Sequence, residues 1–139
     1  MEAVATRTHV MRRRGKRRRA ELARCLPRLR EALERERAFR IEQLSSMATR
    51  TGRPRSASTP ADAARAQVDD LVAANAGRAL ADIEFALTAM RAGRYGRCAG
   101  CDDEIAVEVL RAVPQTMWCL DCQRRRAEQR WPGALEQPA

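Results

Sequence analysis

The chain has 139 residues, of which 45% are hydrophobic, 32% charged and only 4% aromatic. That length allows one domain, or a small domain with an extension, and so few large side chains exclude a thick core around a deep substrate pocket. The formal net charge of +9 is concentrated at one end, because residues 1–19 hold eight cationic side chains against Glu2 alone.

Residues 1–19 include Arg12, Arg13, Arg14, Lys16, Arg17, Arg18 and Arg19. Charged and almost without apolar side chains, they are expected to form a disordered basic arm. Such a run reads either as a nucleic-acid contact or as a solvated tail. No apolar stretch follows the arginines, as a signal peptide would require, and Met11 is a second candidate start. With no run of about 18 apolar residues, no membrane span is expected, and a cytoplasmic location is the expectation.

From about residue 20 to 49 the periodicity predicts a helix. Leu22, Leu26, Leu29 and Leu33 recur at helical spacing, and the stripe resumes at Ile41, Leu44 and Ala48. Glu31–Arg35 and Glu36–Arg40 stand at i,i+4. Pro27 disfavours helix just before itself, so the long helix is expected to start there. Residues 50–58 carry Gly52, Pro54 and small polar side chains and predict a turn. Thr59, Pro60 and Asp62 then supply an N-cap, an N1 proline and a residue able to reach back in a capping box. The second helix has an apolar stripe at Val68, Val72, Ala76, Ala79, Ile83, Leu87 and Met90, close to the 3.5-residue period of a coiled-coil seam, and ends at Gly93. Two such helices joined by a turn make an antiparallel hairpin whose arms are each roughly 40–50 Å long.

The strongest signal follows. Cys98, Cys101, Cys119 and Cys122 give the spacing C-x2-C-x17-C-x2-C. Two residues between cysteines let both sulfurs of a turn face one ion, and a second pair completes a tetrahedron with Zn–S near 2.3 Å. Between the pairs, Ile105, Val107, Leu110, Val113 and Met117 offer only a miniature core, so one structural zinc is expected to hold the module together. Four protein thiolates leave no open coordination position, so zinc catalysis is not expected. A redox switch on the same thiolates is the alternative. Cys25 falls outside the pattern and reads as a half-buried helix residue. His9 is the only histidine and lies in the basic arm, and no glycine-rich phosphate loop exists. No catalytic residue is expected, and the chain is not expected to be an enzyme. Arg124, Arg125 and Arg126 open a short C-terminal helix, and Trp118 and Trp131 are expected to pack the finger against the hairpin.

The fold class read from these elements is mainly α. An antiparallel coiled-coil hairpin (20–93, turn near 50–58) follows the arm, then a four-cysteine zinc finger with a short C-terminal helix (94–131) and a tail (132–139). The helical hairpin, then Tyr95-Gly96-Arg97-Cys98-x-x-Cys101, Ile105, Leu110, Ala112, Pro114 and Cys119-x-Asp121-Cys122, resembles the DksA/TraR family of bacterial transcription regulators over about 60–130. The resemblance implies direct binding to core RNA polymerase, with the coiled coil in the secondary channel, its tip approaching the active site and the zinc part outside. It implies a cytoplasmic protein, and a monomer is expected.

The family tip carries an acidic Asp-x-x-Asp-x-Ala pattern. Here Asp62 and Ala64 match its second half, while Thr59 stands at the first acidic position and Arg50, Arg53 and Arg55 reverse the local charge. The glycine usual after the second cysteine is Asp102, a residue type that tolerates left-handed backbone. The positions matching the basic residues with which some members bind ppGpp are Asp82, Val113 and Gln123, none of them basic. No comparable response to ppGpp is expected. Two other readings remain: a nucleic-acid-binding zinc protein using the basic arm, and a thiol or zinc redox sensor. On the separate-module reading, Cys119→Ser loses zinc and unfolds the finger while the hairpin is largely kept.

Overall fold

The computed structural model describes the backbone of residues 2–51 and 59–130, and the side chains of residues 13–50 and 59–130. Most of the expected turn, with Arg53 and Arg55, lies outside the described residues, as do Trp131, the 132–139 tail and the Arg12 side chain. Four helices are described: α1 Glu2–Thr51, α2 Pro60–Arg91, α3 Val107–Ala112 and α4 Leu120–Arg130. An isolated antiparallel bridge pairs Arg97 with Glu104. Helices α1 and α2 form the antiparallel hairpin, and α3 and α4 belong to the cysteine module at its base.

Helix α2 starts as its sequence dictates. Thr59 is extended, its hydroxyl accepts from the Asp62 N–H at 3.1 Å and donates to the Asp62 carboxylate at 2.7 Å, and Pro60 opens the helix. Its end is equally local. The Ala92 N–H donates to the Thr88 carbonyl, and Gly93 takes the left-handed conformation (φ +69) that releases the chain toward the finger. Arg50 in the last turn of α1 and Asp62 in the first turn of α2 both complement the helix dipoles.

Helix α1 departs from expectation in two ways. It runs back to Glu2, where a disordered arm was expected, and it passes through Pro27 without a break. Tertiary contacts override both local signals. Arg18 docks on the finger (below), and the apolar face on either side of the proline, Leu22, Leu26, Leu29 and Leu33, is held against the core. Pro27 sits on the exposed side with Ala23, so the Ala23 carbonyl deprived of its N–H partner faces water. Packing of an amphipathic face, rather than propensity, sustains such a helix.

A single core cluster ties hairpin and finger together. Leu29 and Leu33 of α1 meet Ile83, Ala86, Leu87 and Met90 of α2, and the cluster continues without interruption into Cys98, Ile105, Leu110 and Cys122. Toward the tip the seam thins. Met47 and Ala76 are buried there, but Val68 is 58% and Ile41 41% exposed, and Val72 and Ala48 are exposed too. Those four were expected in the seam. The expected 4-4-3 spacing averages more than 3.5 residues per step and drifts out of the seam, whereas the half-buried Ala66 and Ala73 keep the seven-residue repeat with Leu80 and Leu87 and take the inward positions. Arg37 of α1 reaches Glu84 of α2 at 3.3 Å across the hairpin, while Glu31–Arg35 and Glu36–Arg40 pair along α1 as their spacing predicts. Asn75 is exposed and accepts from Arg78, so it sets no register. No described helix is long and apolar enough to cross a membrane.

Candidate metal centre

Each cysteine pair is placed by backbone hydrogen bonds. In the first turn the Cys98 N–H donates to the Asp103 carbonyl and the Ile105 N–H to the Gly96 carbonyl, both at 2.8 Å. Asp102 closes the turn in the left-handed region (φ 60), donating its N–H to the Cys98 carbonyl, and its carboxylate pairs with Arg97 at 2.9 Å. Aspartate at the usual glycine position is thus accommodated. The Ala99 N–H donates to the Met117 carbonyl at 2.8 Å and so joins the two turns. In the second turn Cys119 caps α4. Its carbonyl accepts from the Gln123 N–H, and its sulfur accepts from the Cys122 N–H at 3.4 Å.

The four sulfurs lie within 4.8 Å of one another. Cys101 and Cys119 Sγ are 3.8 Å apart, close to the edge of about 3.8 Å that a tetrahedron with Zn–S near 2.3 Å requires. Further donors surround the sulfurs. The N–H groups of Gly100 and Cys119 point at Cys98 Sγ at 3.4 and 3.3 Å, and Arg125 reaches Cys122 Sγ at 3.1 Å. Burial raises the Cys98 thiol, but N–H donors from Cys119, Cys101 and Gly100 outweigh it and bring its pKa down to about 6. At Cys101 the Asp103 N–H works downward, yet burial and the three neighbouring sulfurs drive that thiol up to about 12. Without a cation, then, the four sulfurs cannot all be ionised. One zinc ion removes that conflict, and the donor set fits it.

The surroundings are close-packed. A Cβ on Gly100 would come within 2.9 Å of the Trp118 ring and 3.1 Å of Cys122 Sγ. Trp118 thus covers the metal-binding turn itself, and Arg126 stacks on its ring at 4.1 Å from the centroid. Gly100→Ala is therefore expected to cost about 1–3 kcal/mol and to loosen zinc binding, measurable by competition with a chelating dye.

Tyr95 is the only tyrosine. Its hydroxyl donates to the Pro114 carbonyl at 2.8 Å, which spans the module, and burial raises its pKa from 10.0 to about 12. The unfolded chain gives up this proton first. The tyrosine's contribution to stability is therefore full below pH 10.0 and lost as pH rises toward about 12. Alkaline melting curves should show this loss in the wild type and not in Tyr95→Phe, which also forfeits a hydrogen bond worth about 1 kcal/mol.

Arg18 is the residue that sequence reasoning placed wrongly. Its guanidinium donates to the carbonyls of Gly96 (3.0 Å) and Ile105 (3.0 Å from Nε), one on each side of the finger's bridge, and pairs with Glu104 at 3.4 Å. A basic run gave no sign that one member is structural; only the fold brings residue 18 to residue 105. The other expected members, Arg13, Arg14, Lys16, Arg17 and Arg19, are exposed on α1. Asp62 and Ala64 lie at the opposite end of the hairpin, in the first turns of α2. Cys25 is half-buried, as expected, and its sulfur accepts from Arg111, which also pairs with Glu21 at 3.0 Å. Arg124 pairs with Asp121, so the three arginines after the last cysteine each have a partner.

Residues 93–127 match the prokaryotic dksA/traR C4-type zinc finger. Among solved structures, transcription factor DksA2 from Pseudomonas aeruginosa is similar in fold: TM-score 0.60 and 18% identity over 73% of this chain and 82% of that one. A comparison with curated proteins finds none that matches. The finger is thus of the dksA/traR C4 type, and the chain as a whole shares the hairpin-and-finger fold of DksA2.

Proposed function

We propose that this chain is a transcription regulator that binds core RNA polymerase, with its hairpin in the secondary channel and its zinc finger at the rim. The family finger seated on a DksA-like hairpin carries this reading. Helix α2 is 32 residues, about 48 Å, which is long enough to carry a tip deep into a channel while the finger remains outside. The zinc would act by holding the base of the hairpin at a fixed angle to the finger. No open coordination position is left for chemistry on the ion, and the role argued for the chain is non-enzymatic.

At the tip, Asp62 would be the acidic group nearest the polymerase active site, with Ala64 beside it. Arg50 offsets its charge locally, so the effect on catalysis would differ from that of a tip with two acids. Purified zinc-loaded protein is expected to bind core polymerase and to compete with another secondary-channel factor. Asp62→Asn should bind similarly but lose most of the effect on transcription, with a small stability loss of about 0.5–1 kcal/mol from the weakened cap. Absence of competition would remove the channel from the proposal.

A further inference from the structure

The junction of hairpin and finger holds a recess of about 360 Å³. Four arginines from distant parts of the chain line it: Arg18 and Arg19 from α1, and Arg94 and Arg97 from the segment leading into the first cysteine turn. Two carboxylates answer them. Glu104 is taken by Arg18 and, at 3.8 Å, by Arg19, while Asp102 is taken by Arg97. The Arg94 guanidinium makes no hydrogen bond or ion pair among the described residues, and the Arg19 side chain is 75% exposed. The rim therefore keeps an excess of positive charge. Lys16 lies one turn before Arg19, and Arg14 one turn before Arg18, extending that rim along α1.

The floor is of another kind. Leu22 and Met90 form it with Tyr95, whose ring is fixed by its bond to the Pro114 carbonyl. Arg18, spent on the Gly96 and Ile105 carbonyls, locks α1 against the finger and so holds the two halves of the rim in place. A basic rim around an apolar and aromatic floor suits a flexible polyanion that offers flat apolar faces between its charges. Single-stranded nucleic acid has that chemistry, since its phosphates track basic side chains and its unstacked bases seek such surfaces. A duplex has its bases stacked away and gains only the charge.

We infer that this junction binds single-stranded nucleic acid, with phosphates on Arg19, Arg94 and Arg97 and one base in the recess over Leu22, Met90 and Tyr95. The site is distinct from the hairpin tip and from the zinc ligands, and it does not depend on polymerase binding.

Fluorescence anisotropy with the zinc-loaded full chain tests it. The probes are a labelled single strand of about 12 nucleotides, the same sequence as a duplex, and the same strand with abasic positions. The expected result is tighter binding of the intact single strand than of either other probe. Arg19→Ala with Arg94→Ala, both outside the core, should weaken binding about tenfold or more at low salt. Removing two phosphate contacts should also reduce the slope of log K against log salt by about 1.4. The abasic strand should bind more weakly with an unchanged salt slope, because it loses the base and keeps its charge. Equal binding of duplex, abasic and intact strands would overturn the recess. Unchanged affinity and slope in the double variant, with zinc content and melting temperature as in the wild type, would overturn the site as a whole.

Discussion

Cys119→Ser, or removal of zinc by a strong chelator, is expected to cost the finger its structure and the hairpin a large part of its helix. Zinc supplies roughly 10–16 kcal/mol to modules of this kind, whereas the finger's own buried apolar residues amount to little more than Ile105, Val107 and Leu110. Losing the ion leaves no force adequate to order residues 93–127. Treated as a separate module, the finger would unfold alone. The structure argues otherwise, because Ile105, Leu110, Cys98 and Cys122 belong to the same cluster as Leu29, Leu33, Ile83 and Met90. Arg18 adds a direct tie from α1 to the finger's backbone. Circular dichroism during chelator titration should therefore show helicity falling together with zinc loss, the base of the hairpin and the first turns of α1 fraying first. Full helicity in a zinc-free protein would show that the hairpin stands without the finger, contrary to the shared core.

Leu33→Ala is the second large effect. Leu33 is 2% exposed and belongs to the core cluster that α1, α2 and the finger share. Truncating a buried leucine of this kind costs about 2–5 kcal/mol, a large fraction of the 5–15 kcal/mol typical of a whole domain. Val68→Ala, at a position 58% exposed, should change stability by no more than about 0.5 kcal/mol. Denaturant melts of the two variants compare base and tip directly. A loss at Val68 as large as that at Leu33 would mean the hairpin is zipped along its full length, which the exposure of its distal stripe contradicts. A tip of that kind, short of buried apolar contacts, is where local opening concentrates. If the tip works inside a partner's channel, it is ordered there by the partner and not by its own seam.

The four cysteines were legible in the sequence because a metal tetrahedron imposes a spacing that little else imitates. The start of α2 was legible for the same kind of reason, since Thr59, Pro60 and Asp62 act on their own neighbours. So were the end at Gly93 and the tolerance of Asp102 for positive φ. These are local devices, whose outcome depends on a few adjacent residues and on geometry that any chain shares. Three other features were decided only by tertiary structure. Pro27 and the basic run argued locally against continuous helix, and contacts with α2 and the finger outweighed them. Arg18 took a structural role because folding brought it to carbonyls some eighty residues away, leaving Arg19 to share a rim with Arg94 and Arg97. The apolar stripe of α2 gave the right partner helix but the wrong inward residues near the tip. The stripe read from sequence advances by more than 3.5 residues per step, while the buried face keeps the seven-residue repeat of two helices packed side by side, and packing at the hairpin's base set where that face points.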